Sequence, residues 1–218
     1  MHLPRSPAAV FIFVWVATIA AYTPCVADPE RQRARSQELQ RIVVTDQMDR
    51  TELNKTPEQW DEVLTRDKQR RERVGQIFGE GCLVTAQDYA AAALVYQHGD
   101  VSDHHFQAYL WSKRAVELGD DSQKRMMALG IDRYLVNRGN KQLFGSQARK
   151  PPGLQCWCLE PVEPTFPESM RLAHRINTIP QALAWVDSLN VRATCAPAIE
   201  CVDRQLSPSP LGTVPGLW

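Results

Sequence analysis

The sequence contains no phosphate loop, dinucleotide fingerprint or serine or cysteine nucleophile motif. Gly145-Ser146-Gln147 comes nearest to a nucleophile elbow, but no strand pattern precedes it. Charge of one sign is also missing, with 25 basic side chains against 25 acidic ones. A chain without a strong field is a poor partner for nucleic acid or for an anionic membrane surface. The one long apolar run, Ala8 to Tyr22, falls short of the roughly 20 residues that span a bilayer. No alternating strand pattern and no regular internal period is present, so neither a β architecture nor a repeat protein is expected.

What is there begins with a processing segment. Arg5 supplies the positive start, the uncharged stretch Ala8–Tyr22 the apolar centre, and Cys25-Val26-Ala27 the small residues a signal peptidase reads. Residues 1–27 are therefore expected to be a signal peptide cut after Ala27. Lipidation at Cys25 is disfavoured by the bulky Tyr22-Thr23-Pro24 before it. The chain is then exported, periplasmic or secreted, with no membrane contact once processed. With Arg5 gone, 24 basic residues face 25 acidic ones, and the net charge is about −1.

Cleavage there would leave five cysteines, and an oxidising compartment favours disulfides over metal thiolates. Four of them, Cys156, Cys158, Cys195 and Cys201, lie in the last third. Two positions apart in extended chain puts the Cβ atoms of Cys156 and Cys158 roughly 6–7 Å apart, too far for a bridge. Both remaining connectivities tie the Cys156–Cys158 segment to the Cys195–Cys201 segment. Cys82 is expected to be a buried free thiol.

Five helices are expected before residue 150, joined by short turns. Residues 28–35 read as a polar arm, with a first helix from Ser36. Thr56, Pro57 and Gln59 form a capping box for the second, whose buried face is expected to carry Trp60, Val63, Leu64, Val74, Ile77 and Phe78. Thr85 with Asp88 opens a third, with small residues Ala90 to Ala93 in its middle. The fourth turns Phe106, Leu110, Trp111 and Ala115 inward, and the fifth ends at Gly139. The expected fold is all-α: a five-helix bundle or stacked helical hairpins over residues 28–150, with a cysteine-pinned extension over 151–204. That extension holds a short strand at Gln155–Leu159 and helices near Glu168–Asn177 and Pro180–Leu189. Residues 205–218 read as a disordered tail.

Two polar residues stand out. The neighbours of Asp132 one turn either way are Ala128, Leu129, Leu135 and Val136, so its carboxylate lies on a buried stripe. It must find donors or shift its pKa upward, and backbone N–H groups around Gly145 are natural candidates. His98, in the last turn of the third helix, is satisfied either by a core carbonyl or by pairing with Asp132. Asp46/Arg50 and Asp67/Arg71 repeat an Asp-x-x-x-Arg spacing that reads as structural ion pairs. His98, Asp100, Asp103, His104 and His105 crowd one turn without a standard metal spacing, so no metal or other cofactor is expected.

Several stretches resemble an uncharacterised family of bacterial helical proteins, a domain of unknown function. They include Asp46-Gln47-x-x-Arg50, Gln97-His98-Gly99-Asp100, Asp132-Arg133-Tyr134-Leu135 and Gly139-x-Lys141-Gln142-x-Phe144-Gly145-Ser146-Gln147. Ser146 departs from the family's usual threonine but keeps the hydroxyl. The tail cysteines are no part of the pattern. The resemblance implies a helical fold with a shared polar centre, and no activity.

Two readings of function follow. The first is a binding or interaction module for an unknown protein or small polar ligand, using the third-helix end and the Leu143–Gln147 loop. The second is a hydrolase-like enzyme with His98 and Asp132 as acid and base, and Arg133, Gln142 and Gln147 orienting a polar substrate.

Overall fold

A computed structural model describes residues 25–52, 55–191 and 194–218. Most of the expected signal segment therefore lies outside the described residues.

The chain is mostly helical: α1 (Pro29–Met48), α2 (Pro57–Gly79), α3 (Ala86–Gln97), α4 (Ser102–Glu117) and α5 (Lys124–Asn137) come first. Strands β1 (Ala148–Arg149) and β2 (Cys158–Leu159) and helices α6 (Glu168–Ala173) and α7 (Ile179–Leu189) follow. The all-α, five-helix expectation is thus corrected to seven helices and a two-stranded antiparallel sheet among the described residues. Ala148 stands opposite Leu159 and Arg149 opposite Cys158. A two-residue strand is too short to leave a period in the sequence, which is why β1 was not foreseen.

Asp28 and Pro29 start α1 seven residues earlier than the hydrophobic pattern suggests. The Asp28 carboxylate accepts the Arg31 N–H at 3.0 Å, and proline at the first helical position has no N–H to leave unpaired. The capping boxes at Thr56/Gln59 and Thr85/Asp88 are both formed.

On α2 the inward stripe runs Val63, Asp67, Arg70, Arg71, Val74 and Ile77. Trp60, Leu64 and Phe78, expected inside, are each at least 40% exposed, as is Leu110 of α4. On α2 the buried middle is ionic, so its apolar residues alone point to the wrong edge of the helix.

The small residues of α3 pack as intended, with Ala92 and Ala93 fully buried beside Leu39, Val74, Ile77 and Trp111. A second cluster joins Tyr109, Ile131 and Leu135 to Leu143, Phe144 and Phe166, uniting α4, α5 and the chain beyond. Between α4 and α5 the backbones meet at Gly130, where a Cβ would lie 3.0 Å from Tyr109 N and 3.1 Å from His105 O.

Cys156 bonds to Cys195 and Cys158 to Cys201, one of the two connectivities left open. Cys82 is not a free thiol: it is disulfide-bonded to Cys25. The final residues are ordered rather than disordered. Ser207 exchanges hydrogen bonds with Lys141 N and Gly139 O, both at 2.8 Å, Ser209 N donates to Glu163 at 2.9 Å, and Trp218 stacks edge-on against Phe166. Backbone groups of Gly139 and Lys141 and the buried Glu163 carboxylate hold a segment whose own composition looks unstructured.

Candidate functional site

Asp132 is fully buried, and the loop after α5 closes around it. Leu143 N and Phe144 N donate to Oδ1 at 2.8 and 2.9 Å, while Ser146 N and Oγ donate to Oδ2 at 3.0 and 2.8 Å. Gly145 permits this wrap by taking φ +79°, a left-handed conformation suited to glycine. Burial pushes the Asp132 carboxyl up, and the four donors pull against it. The expected donors are therefore found, and the carboxylate is sealed from solvent.

His98 pairs elsewhere. Its Nδ1 lies 3.0 Å from Asp46 Oδ2, and its Nε2 has no hydrogen-bond partner among the described residues. Burial alone would raise the Asp46 carboxyl. The hydrogen bond from His98, the charges of His98 and Arg50, and a hydrogen bond from Gln47 Nε2 hold it below its ordinary value. The His98–Asp132 pair is thus replaced by His98–Asp46, because the loop amides reach Asp132 first.

Arg50 carries the network onward, to Asp46 at 3.2 Å and Asp67 at 2.7 Å. The expected Asp67/Arg71 pair is not formed. Asp67 takes Arg70 at 2.9 Å, and Arg71 turns to His98 O and the Asp100 carboxylate, both at 3.1 Å. Asp100 also takes His104, so the crowded turn uses its charges on one another. Among the described residues, the one grouping with metal-ligand proximity, Cys158, Cys201 and Asp203, contains two cysteines joined in a disulfide, which have no thiolate to offer.

Arg133 joins the two polar halves. It donates from Nη1 to Gln97 O at 2.7 Å and from Nε to Gln147 Oε1 at 3.1 Å. No carboxylate pairs with it among the described residues, and burial, with the Arg50 charge nearby, pushes its pKa down. Nη2 has no acceptor among those residues. Gln142 is fully buried and acts as a strut: its Oε1 accepts Gln147 N at 2.8 Å, and its Nε2 donates to Gln147 O and Glu160 O.

A groove of about 530 Å³ is lined by Arg133, Ser146 and Gln147 together with Trp157, Asn177 and Trp185. Of the residues singled out in the sequence, Arg133 and Gln147 reach this groove, whereas Gln142 and Asp132 support it from beneath. His98 lies behind it, one residue from the carbonyl that Arg133 holds. Trp157 and Trp185, which also line the groove, carry no signal in the sequence that sets them apart as site residues. His105 was seen only as part of a polar turn. It is buried, its Nδ1 has no partner among the described residues, and burial with the Arg133 charge lowers its pKa to about 4.

Comparison with protein-family models, with curated proteins and with solved structures finds no match for this chain.

Proposed function

We propose that the protein is an exported binding module that takes a small polar ligand with an anionic group in the Arg133 groove. The observation carrying this reading is the state of Arg133: a largely buried guanidinium with no carboxylate partner among the described residues, at the wall of a cavity. Buried charges are ordinarily paired, and a ligand carboxylate or phosphate would supply the pair through a fork-shaped donor. Ser146 and Gln147 add polar contacts, and Trp157 and Trp185 offer flat apolar faces for the body of the ligand. The three disulfides favour an oxidising compartment, periplasmic or extracellular. The polar centre holds the motifs behind the resemblance to the helical family of unknown function, and membership of that family is part of the same proposal.

A thermal-shift screen of small carboxylates and phosphates, half of them carrying a ring, tests the reading. Ligands that raise the melting temperature of the wild type and lose their effect on Arg133→Met support it. Uniform silence across the screen, or hits indifferent to Arg133, would count against it.

A hydrolase-like activity is the second reading. It is favoured by one feature, the His98–Asp46 pair, in which the carboxylate orients Nδ1 and leaves Nε2 free to move a proton. Under this reading His98→Asn abolishes turnover of any substrate found, while Asp132→Asn acts through folding.

A further inference from the structure

Cys25 belongs to the core. It is fully buried among Leu39, Val74, Ile77 and Cys82, and its sulfur is bonded to Cys82. Its carbonyl accepts Asp28 N at 3.0 Å, next to the Asp28 side chain that caps α1. The disulfide fastens the entry of α1 to the residue pair that follows α2. A cut after Ala27 would remove half of that bridge and leave Cys82 as a lone thiol facing an empty space.

Peptidase recognition needs small residues at the first and third positions before the bond, behind an apolar stretch. Cys25-Val26-Ala27 satisfies this, but so does Thr18-Ile19-Ala20, which lies within the apolar stretch Ala8–Tyr22, behind Ala8–Ala17.

We infer that the leader is removed after Ala20, so that the mature chain keeps Cys25 and closes the Cys25–Cys82 bridge. The inference rests on the export reading. Hydrolysis consumes one water, leaving a carboxylate on the leader and a new amino terminus on Ala21. The two thiols then pass two electrons to a disulfide oxidant of the export compartment by thiol–disulfide exchange, which releases that oxidant as a dithiol.

The test is to express the full chain in a bacterial host and determine the amino terminus, intact mass and non-reduced peptide map of the recovered protein. The expected result is a start at Ala21 and a peptide pair linking Cys25 to Cys82. A start at Asp28, with Cys82 open to alkylation, overturns the inference and leaves export standing. A lipidated amino terminus at Cys25 does the same. An uncleaved chain retained in the cytoplasm overturns both. Independently, Cys25→Ser and Cys82→Ser should lower the melting temperature by the same amount, and the double variant no further. A Cys25→Ser variant indistinguishable from wild type contradicts the bridge.

Discussion

The Arg133 guanidinium lies 3.1 Å from the Gln147 side-chain oxygen, with Gln147 in turn donating to Ser146 Oγ at 2.9 Å and Ser146 to the buried Asp132. The groove wall is therefore tied to the carboxylate beneath it by one chain of hydrogen bonds. What happens to Asp132 should be felt at the surface, and the following outcomes rest on that connection and on the packing around it.

Asp132→Asn keeps the shape of the side chain but presents an NH₂ group where two N–H or O–H donors point. Donors left facing a donor in a dry site cost about 1–3 kcal/mol each. Urea denaturation should show a loss on the order of 3–5 kcal/mol, the range for breaking a buried charged arrangement. A loss under 1 kcal/mol would mean that the loop does not depend on the carboxylate.

His105 makes stability pH-dependent. Its folded pKa, about 4, is below the ordinary value of 6.5, so the unfolded chain binds the extra proton first as pH falls. Stability is then lost on acidification from about pH 6.5 to about 4, by up to about 3 kcal/mol. A His105→Leu variant should flatten that part of the stability–pH profile. An unchanged slope would assign the acid loss to other groups.

Asp49 works in a lower window. Hydrogen bonds from Arg66 and, against the opposing effect of burial, from Arg70 lower its pKa to about 2. A depressed carboxylate pKa stabilises above the unfolded value and is lost as pH falls through the folded one. Asp49→Asn should remove stability that the wild type holds at pH 5 and make no difference near pH 2. Equal losses at both values would contradict the ion-pair account.

Gly130→Ala sets helix propensity against packing. In an open helix interior the change is worth about 1 kcal/mol in favour of alanine. Here the new Cβ meets α4 backbone at 3.0 and 3.1 Å, which cannot yield without separating the helices. Destabilisation of about 1–3 kcal/mol is expected. Gly79→Ala, where a Cβ meets nothing within 4 Å, should be neutral or slightly stabilising. Calorimetry on the pair decides it, and a neutral Gly130→Ala would show that the close crossing relaxes freely.

Much of this arrangement is legible in the sequence, through local rules. Capping boxes mark α2 and α3, and the apolar turns around Asp132 announce a buried carboxylate that the nearest loop amides then satisfy. Spacing along the chain says less about partners from elsewhere. Asp46 is 52 residues from His98 and took the role assigned to Asp132. Trp185 belongs to a helix whose apolar residues all look like core until its exposed side is known, and it is 39% exposed. The last residues fail for a related reason: their order comes from Glu163, Gly139 and Lys141, and nothing in Ser-Pro-Ser-Pro reports those acceptors.

The central claim is that Arg133 awaits an anionic ligand. Its most direct test is calorimetric titration of the best carboxylate or phosphate from the screen into wild type, Arg133→Lys and Trp185→Ala, with circular dichroism confirming that each is folded. Binding to wild type should weaken tenfold or more in Arg133→Lys, since an ammonium cannot reproduce the two-pronged contact, and measurably in Trp185→Ala. Equal affinity in all three proteins would place the ligand elsewhere and contradict the assignment of the groove.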